Sequence, residues 1–61
     1  MNLVCIRNDS LQTLEVYFRG PQGLKPMLMF PGDVRSVDKN MITQHIQNLI
    51  RRRMLSTFNY N

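Results

Sequence analysis

The side chains that could carry chemistry are few and widely spaced in this 61-residue chain. Histidine occurs once, as His45, and cysteine once, as Cys5. A general base needs a nucleophile or an acid within hydrogen-bond reach, and nothing near His45 in the sequence provides one. Cys5 stands between Val4 and Ile6, in an apolar run where a free cysteine is typically a small core residue. We therefore expect no catalytic residue and no enzyme activity.

The acidic residues point the same way, because no two of them form a pair suited to acid–base catalysis. Each has a structural interpretation in a turn, on the outer side of a strand or at a helix start; they are Asp9, Glu15, Asp33 and Asp38. The three glycines fall in turns and form no phosphate-binding loop. A structural zinc site needs four ligands, and Cys5 and His45 are too few. We expect no metal, no cofactor and no small-molecule ligand.

The basic residues leave more than one interpretation open. The net charge is +4, from eight Lys and Arg against four Asp and Glu, and only Arg51, Arg52 and Arg53 form a cluster. Consecutive helical residues lie about 100° apart, so these arginines fan over about 200° and make no single basic stripe. They could end a helix and pack their stems, meet an acidic protein surface, or contact nucleic acid. We expect nucleic-acid binding to be weak or absent.

Period-2 alternation predicts the strands of the first half. Residues 2–7 and 12–19 are two such runs, which we expect to form an antiparallel hairpin with each other. In the second run Leu14, Val16 and Phe18 point one way, toward the core. After a turn at residues 20–23, residues 24–30 alternate again. There we expect Leu24, Leu28 and Phe30 to face inward, and Lys25, Met27 and Met29 to face outward.

The sequence of the second half of the chain predicts a turn, a strand, a helix and a last strand. Pro31, Gly32 and Asp33 form a tight turn before a strand at 34–37. A helix then begins near Asp38, capped by Asp38 or Asn40. Its apolar stripe, which we expect to pack on the sheet, consists of Ile42, Ile46, Leu49 and Ile50. Residues 54–58 add a terminal strand.

The order of elements is therefore β-β-β-β-α-β in a single small β-rich domain, residues 1–61. The fold class is α+β and mostly β: a small antiparallel sheet or partly open barrel, with one C-terminal helix followed by a short terminal strand. A core of this size rarely supplies more than roughly 3–5 kcal/mol. No apolar run reaches the ~20 residues that a membrane helix requires, so we expect no membrane association.

The outward faces of the predicted strands are unusually apolar. Tyr17, Met27 and Met29 alternate away from the presumed core, and Phe58 and Tyr60 lie two residues apart at the end of the chain. Aromatic residues and Met are enriched in protein interfaces. The alternative is a barrel covered on both faces, which would bury the methionines. The predicted partner-binding residues are Tyr17, Met27, Met29, Arg51, Arg52, Arg53, Phe58 and Tyr60.

A resemblance to a known group of proteins covers most of the chain. A first strand ends in Arg-Asn-Asp-Ser, an alternating strand leads to Gly-Pro-Gln-Gly, and Phe-Pro-Gly-Asp-Val-Arg-Ser-Val follows. The chain then closes with Ile-Gln-Asn-Leu-Ile-Arg-Arg-Arg-Met-Leu. Together these segments resemble small accessory structural proteins of tailed-bacteriophage virions.

The resemblance implies a non-enzymatic component of the virion, made in the host cytoplasm. Such a protein joins or decorates larger capsid, neck or tail subunits through protein–protein contacts, as an oligomer or in many copies during viral assembly. Two alternatives from other classes remain open. One is a small basic nucleic-acid-binding protein, and the other is an inhibitor of a host enzyme.

Overall fold

A computed structural model describes residues 2–59 of the chain. The described part is mostly β, with 51% of its residues in strands, one α-helix, and a short terminal strand after the helix. The elements follow in the predicted order, with a short 3-10 helix (Lys39–Met41) added before the α-helix. They are β1 (Leu3–Asn8), β2 (Leu14–Gly20), β3 (Gly23–Met29), β4 (Val34–Asp38), α1 (Gln44–Arg51) and β5 (Leu55–Asn59).

The strands form two small antiparallel sheets, and neither closes into a barrel. One sheet has three strands in the order β4-β1-β5, and the other is the two-stranded ribbon β2-β3. The predicted hairpin between residues 2–7 and 12–19 is therefore wrong. Val4, Cys5 and Ile6 of β1 are all buried, and a strand this buried satisfies its backbone best between two neighbours. Strands β4 and β5 supply those neighbours.

Buried Asn8 connects the two sheets where the chain leaves β1. Its side-chain Nδ2 donates to the carbonyl oxygens of Met29 and Gln12, at 2.8 and 2.9 Å. Its Oδ1 accepts from the backbone N–H and the hydroxyl of Ser10, at 2.9 and 2.7 Å. Its backbone bonds to the turn after β3, donating to Asp33 O and accepting from Gly32 N. This one residue holds the end of β1 against the end of β3.

The β2-β3 ribbon corrects the predicted orientation of β3. Its register pairs Leu14 with Met29 and Val16 with Met27. Directly opposed residues of an antiparallel pair share a face, so the inward side chains of β2 bring both methionines inward. Met29 is fully buried, and Met27 is half-buried against the core. The outward placement of these two methionines was wrong.

The same register turns Leu24 and Leu28 outward, although the sequence pattern placed them in the core, and Phe30 just beyond β3 is exposed as well. Leu24 is 65% exposed, Leu28 55% and Phe30 57%. The cause is the two-residue loop between Gly20 and Gly23, which pair with each other. A loop of that length matches even-numbered positions of β2 with odd-numbered positions of β3. Gly23 adopts φ 116°, a conformation that glycine reaches without strain.

Helix α1 packs three of the four predicted stripe residues on the core: Ile46 and Leu49 are buried, and Ile50 is half-buried. Ile42 is also half-buried against the core but lies before the helix. The predicted start near Asp38 was wrong, because Ile42 is extended (ψ 126°) and interrupts the helical path. Asp38 caps the 3-10 helix through Asn40 N, whereas α1 is capped by Thr43.

The Thr43 cap also ties the helix to the ribbon. Its Oγ1 accepts from Ile46 N at 3.2 Å. The same hydroxyl donates to the carbonyl oxygen of Tyr17 at 2.8 Å. The start of α1 is thereby held along the edge of β2.

The arginine run ends the helix. Arg51 is the last helical residue, Arg52 is the C-cap, and Arg53 turns back with φ 63°. Arg53 N donates to Ile50 O at 3.0 Å, and Met54 N donates to Leu49 O at 2.9 Å. This pair of hydrogen bonds is the Schellman arrangement, which usually has glycine at the left-handed position.

Candidate protein-binding surface

The outward face of the β2-β3 ribbon is the most apolar exposed surface among the described residues. We call it the ribbon face. It consists of three residues of each strand, namely Glu15, Tyr17, Arg19, Leu24, Pro26 and Leu28. Phe30, the residue directly after β3, is a further exposed apolar side chain next to this face in the sequence, and we count it with the ribbon face. A soluble monomer rarely exposes large contiguous apolar patches unless they have a partner.

Tyr17 lies in the middle of the ribbon face and contacts both Glu15 and His45. Its hydroxyl donates to the carboxylate of Glu15, and its ring meets the His45 ring edge-on, with centroids 5.4 Å apart. The hydrogen bond to Glu15 and the negative charge of that carboxylate raise the pKa of Tyr17 above its ordinary value of 10.0. His45 Nε2 lies 3.3 Å from the carbonyl oxygen of Glu15. These contacts set the orientation of Tyr17 before any partner arrives.

The outer edge of β3 carries backbone groups that β2 does not pair. Pro26 has no N–H, so the Tyr17–Pro26 pair cannot exchange two hydrogen bonds. The carbonyl oxygens of Tyr17 and Glu15 instead accept from Thr43 and His45 on the far side of β2. By the alternation of antiparallel ladders, the N–H and C=O groups of Leu24 and Leu28 then point away from β2.

Most of the basic side chains are exposed and unpaired among the described residues. Of the eight Lys and Arg, two form ion pairs within residues 2–59, Arg7 with Asp9 at 2.6 Å and Arg35 with Asp33 at 3.6 Å. The other six are exposed and have no ion pair in that range; they are Arg19, Lys25, Lys39, Arg51, Arg52 and Arg53. Arg19 and Lys25 flank the loop that closes the ribbon. With Glu15 as the carboxylate of the ribbon, the β2-β3 ribbon carries one net positive charge.

The predicted partner-binding residues do not form one surface. Tyr17 lies half-buried in the ribbon face, whereas Met27 and Met29 lie on the inner side of the ribbon. Arg51, Arg52 and Arg53 are exposed at the end of α1. Phe58 is 43% exposed on the other sheet, with the Arg7 guanidinium 5.9 Å from its ring centroid. Tyr60 lies outside the described residues.

Three surface residues were missed by the sequence interpretation: Leu24, Leu28 and Phe30. The signal that could have found them is the loop length at residues 20–23. A two-residue loop sets the register, and the register sets which side chains share the inward face with Leu14 and Val16.

Cys5 and His45, the single cysteine and the single histidine, both contact neighbouring side chains or backbone in the fold. Cys5 is buried, and its Sγ lies 3.5 Å from Ser36 Oγ. His45 contacts Tyr17 and Glu15, as described above. Within residues 2–59 no group of three or more His, Cys, Asp or Glu side chains could hold a metal ion.

Comparisons with known protein families, proteins and structures identify no relative of this chain. No protein-family model matches the chain, and searches of curated proteins and of solved structures find no significant match. Across the described part of the chain, no helix has the length and apolar character needed to cross a membrane.

Proposed function

We propose that this chain is a non-enzymatic protein-binding module that joins or decorates larger subunits of an assembly. The observation that carries the proposal is the ribbon face, where Leu24, Leu28 and Phe30 are each more than half exposed. Leu24 and Leu28 share this face with Tyr17, whose hydroxyl bonds to Glu15 and whose ring contacts His45.

The energy available from this surface is large for so small a protein. Fully burying a Leu or Phe side chain stabilises by roughly 1.5–3 kcal/mol. Scaled by the exposed fractions of Leu24, Leu28 and Phe30, covering all three contributes roughly 3–5 kcal/mol. That equals the stability expected from the whole core of a domain this small. A partner that covers the ribbon face would therefore both bind the fold and stabilise it.

The assembly we propose is the virion of a tailed bacteriophage. Support comes from the order of the elements, in which a strand, a Pro-Gly-Asp turn, a second strand, a short helix, a basic exit and a terminal strand follow one another. That order is the one on which the resemblance to small virion proteins rests. The larger subunits would be capsid, neck or tail proteins, present in many copies.

The test is incorporation into particles. Virions of the encoding phage are purified, treated with nuclease, and analysed by quantitative mass spectrometry for this chain relative to the major structural subunits. We expect a fixed stoichiometry for the wild type and a loss of incorporation for Leu28→Asp. Leu11→Asp is the matched control, because Leu11 is 97% exposed and lies outside the ribbon face. Absence of the chain from particles, or equal incorporation of both variants, would refute the proposal.

A further inference from the structure

We propose that β3 accepts an extended, acidic segment of a larger partner protein as a third strand of the ribbon. This inference rests on the proposed function and deepens it by naming the chemistry and position of the partner segment. The added strand would lie along the outer edge of β3, which pairs with no strand among residues 2–59 besides β2. Its side chains on one side would continue the ribbon face.

The backbone of β3 is arranged to receive such a strand. The N–H and C=O groups of Leu24 and Leu28 and the C=O of Pro26 point away from β2, as the register requires. Main-chain hydrogen bonds of this kind give affinity in strand addition, and alternate side chains give specificity. The residues that offer these edge groups are also the apolar residues of the ribbon face. A segment that bonds to the edge therefore places alternate side chains beside Leu24 and Leu28.

Charge complementarity determines the chemistry of the segment. The net charge of the chain is +4, and Arg19 and Lys25 stand at the loop end of the ribbon without an ion pair among residues 2–59. At the other end, Glu15 lies opposite Leu28 and accepts from the Tyr17 hydroxyl, and Asp33 is engaged by Arg35 and by Phe30 N. The best-matched segment alternates apolar residues and carries Asp or Glu at the end that lies beside the loop.

A second copy of this chain fits the edge less well. Pairing β3 with itself about its centre would place Pro26 opposite Pro26, so the central pair would have no N–H to donate. Two copies that each carry +4 would also repel each other. Both observations favour a different, acidic partner.

The first arm of the test uses isotopically labelled full-length chain and a synthetic peptide. The peptide alternates Val and Thr over seven residues and has two Asp at one end; a control peptide has Lys in place of Asp. We expect the acidic peptide to slow amide exchange at Leu24 and Leu28 at least tenfold at saturation, and the Lys peptide to bind at least tenfold more weakly. Failure of the acidic peptide to bind up to millimolar concentration, or binding without that protection, would overturn the inference. Protection on concentrating the chain alone would also overturn it, since the occupant would then be a second copy.

The second arm isolates the edge hydrogen bond with a matched pair of variants. Leu28→Pro removes both the side chain and the outward N–H, whereas Leu28→Ala removes the side chain and keeps the N–H. By the register, neither change removes a β2-β3 hydrogen bond, and circular dichroism checks that both variants keep the fold. One lost edge bond predicts a further loss of roughly two- to tenfold in peptide affinity for Leu28→Pro relative to Leu28→Ala. Equal affinities would refute strand addition.

The same variants separate this inference from the proposed function. If Leu28→Asp fails to enter particles while Leu28→Pro and Leu28→Ala enter equally, the assembly function stands and strand addition is wrong. If the acidic peptide protects Leu24 and Leu28 but the wild-type chain is absent from particles, strand addition stands and the virion function is wrong.

Discussion

Asn8 should be among the most sensitive positions in the protein, although its sequence context marks only a turn. Its side chain is 1% exposed and makes four hydrogen bonds, two given and two accepted. Each such bond contributes about 1 kcal/mol net. The two bonds to Ser10 are partly open to water, so each contributes less than about 1 kcal/mol. We therefore expect Asn8→Ala to lower the free energy of unfolding by about 2–4 kcal/mol. A domain this small has roughly 3–5 kcal/mol in total.

The assay is urea unfolding followed by circular dichroism, with the free energy extrapolated linearly to water. Asn48→Ala is the matched control, because Asn48 is exposed on α1 and its side-chain Oδ1 accepts one exposed hydrogen bond, from Gln44 Nε2 at 3.1 Å. We expect that control to stay within about 0.5 kcal/mol of the wild type. A further variant, Asn8→Asp, keeps the acceptor for Ser10 but turns an oxygen toward the carbonyl oxygens of Gln12 and Met29. It should destabilise at least as much as alanine.

Two results would refute this account of Asn8. One is a loss below about 1 kcal/mol for Asn8→Ala, which would mean that the two sheets hold together without the side chain. The other is wild-type stability for Asn8→Asp, which would mean that the bonds to the two carbonyl oxygens contribute nothing.

Further predictions concern the helix, the tyrosine and the charge. Arg53→Gly should raise the free energy of unfolding by about 1 kcal/mol, because glycine adopts φ 63° without the left-handed penalty; urea unfolding measures it. Leu49→Ala should cost about 2–5 kcal/mol and leave the chain largely unfolded by circular dichroism, whereas Gln47→Ala should be nearly silent. Glu15→Gln should lower the pKa of Tyr17 toward 10.0, which a pH titration of the ring NMR signals measures. Because the fold favours the protonated, hydrogen-bonded phenol, its stabilisation of the fold is fully present below pH 10.0 and is lost as the pH rises through the raised pKa. Duplex DNA should bind only above micromolar concentration at physiological salt; tighter binding, with log K falling steeply with log salt, would favour the nucleic-acid alternative.

Local chemistry explains what the sequence predicted correctly. The turn at Phe30–Asp33 follows from Pro31 and Gly32, with Gly32 at φ 85° and Asp33 N bonded to Phe30 O at 2.9 Å. The helix stripe follows from apolar spacing, and the terminal strand follows from the alternation after the arginines. Each of these depends on residues close together in the chain, which is why a single sequence reveals them.

The choice of strand partners depended on contacts between distant residues. β1 pairs with β4 and β5 because the most apolar strand takes the buried central position. Nothing in residues 2–7 distinguishes that arrangement from a hairpin with β2. Asn8 is similar, since its carbonyl partner at Met29 lies 21 residues away.

The candidate surface shows most clearly what the sequence determined and what the tertiary structure decided. The alternation in β3 separates two faces, Leu24 with Leu28 and Met27 with Met29, but both faces are apolar. Periodicity alone therefore cannot say which face is inside. The loop at residues 20–23 sets the register, and the buried face of β2 then brings the methionines into the core. The leucines are left outside because a directly opposed residue must share the face of its partner.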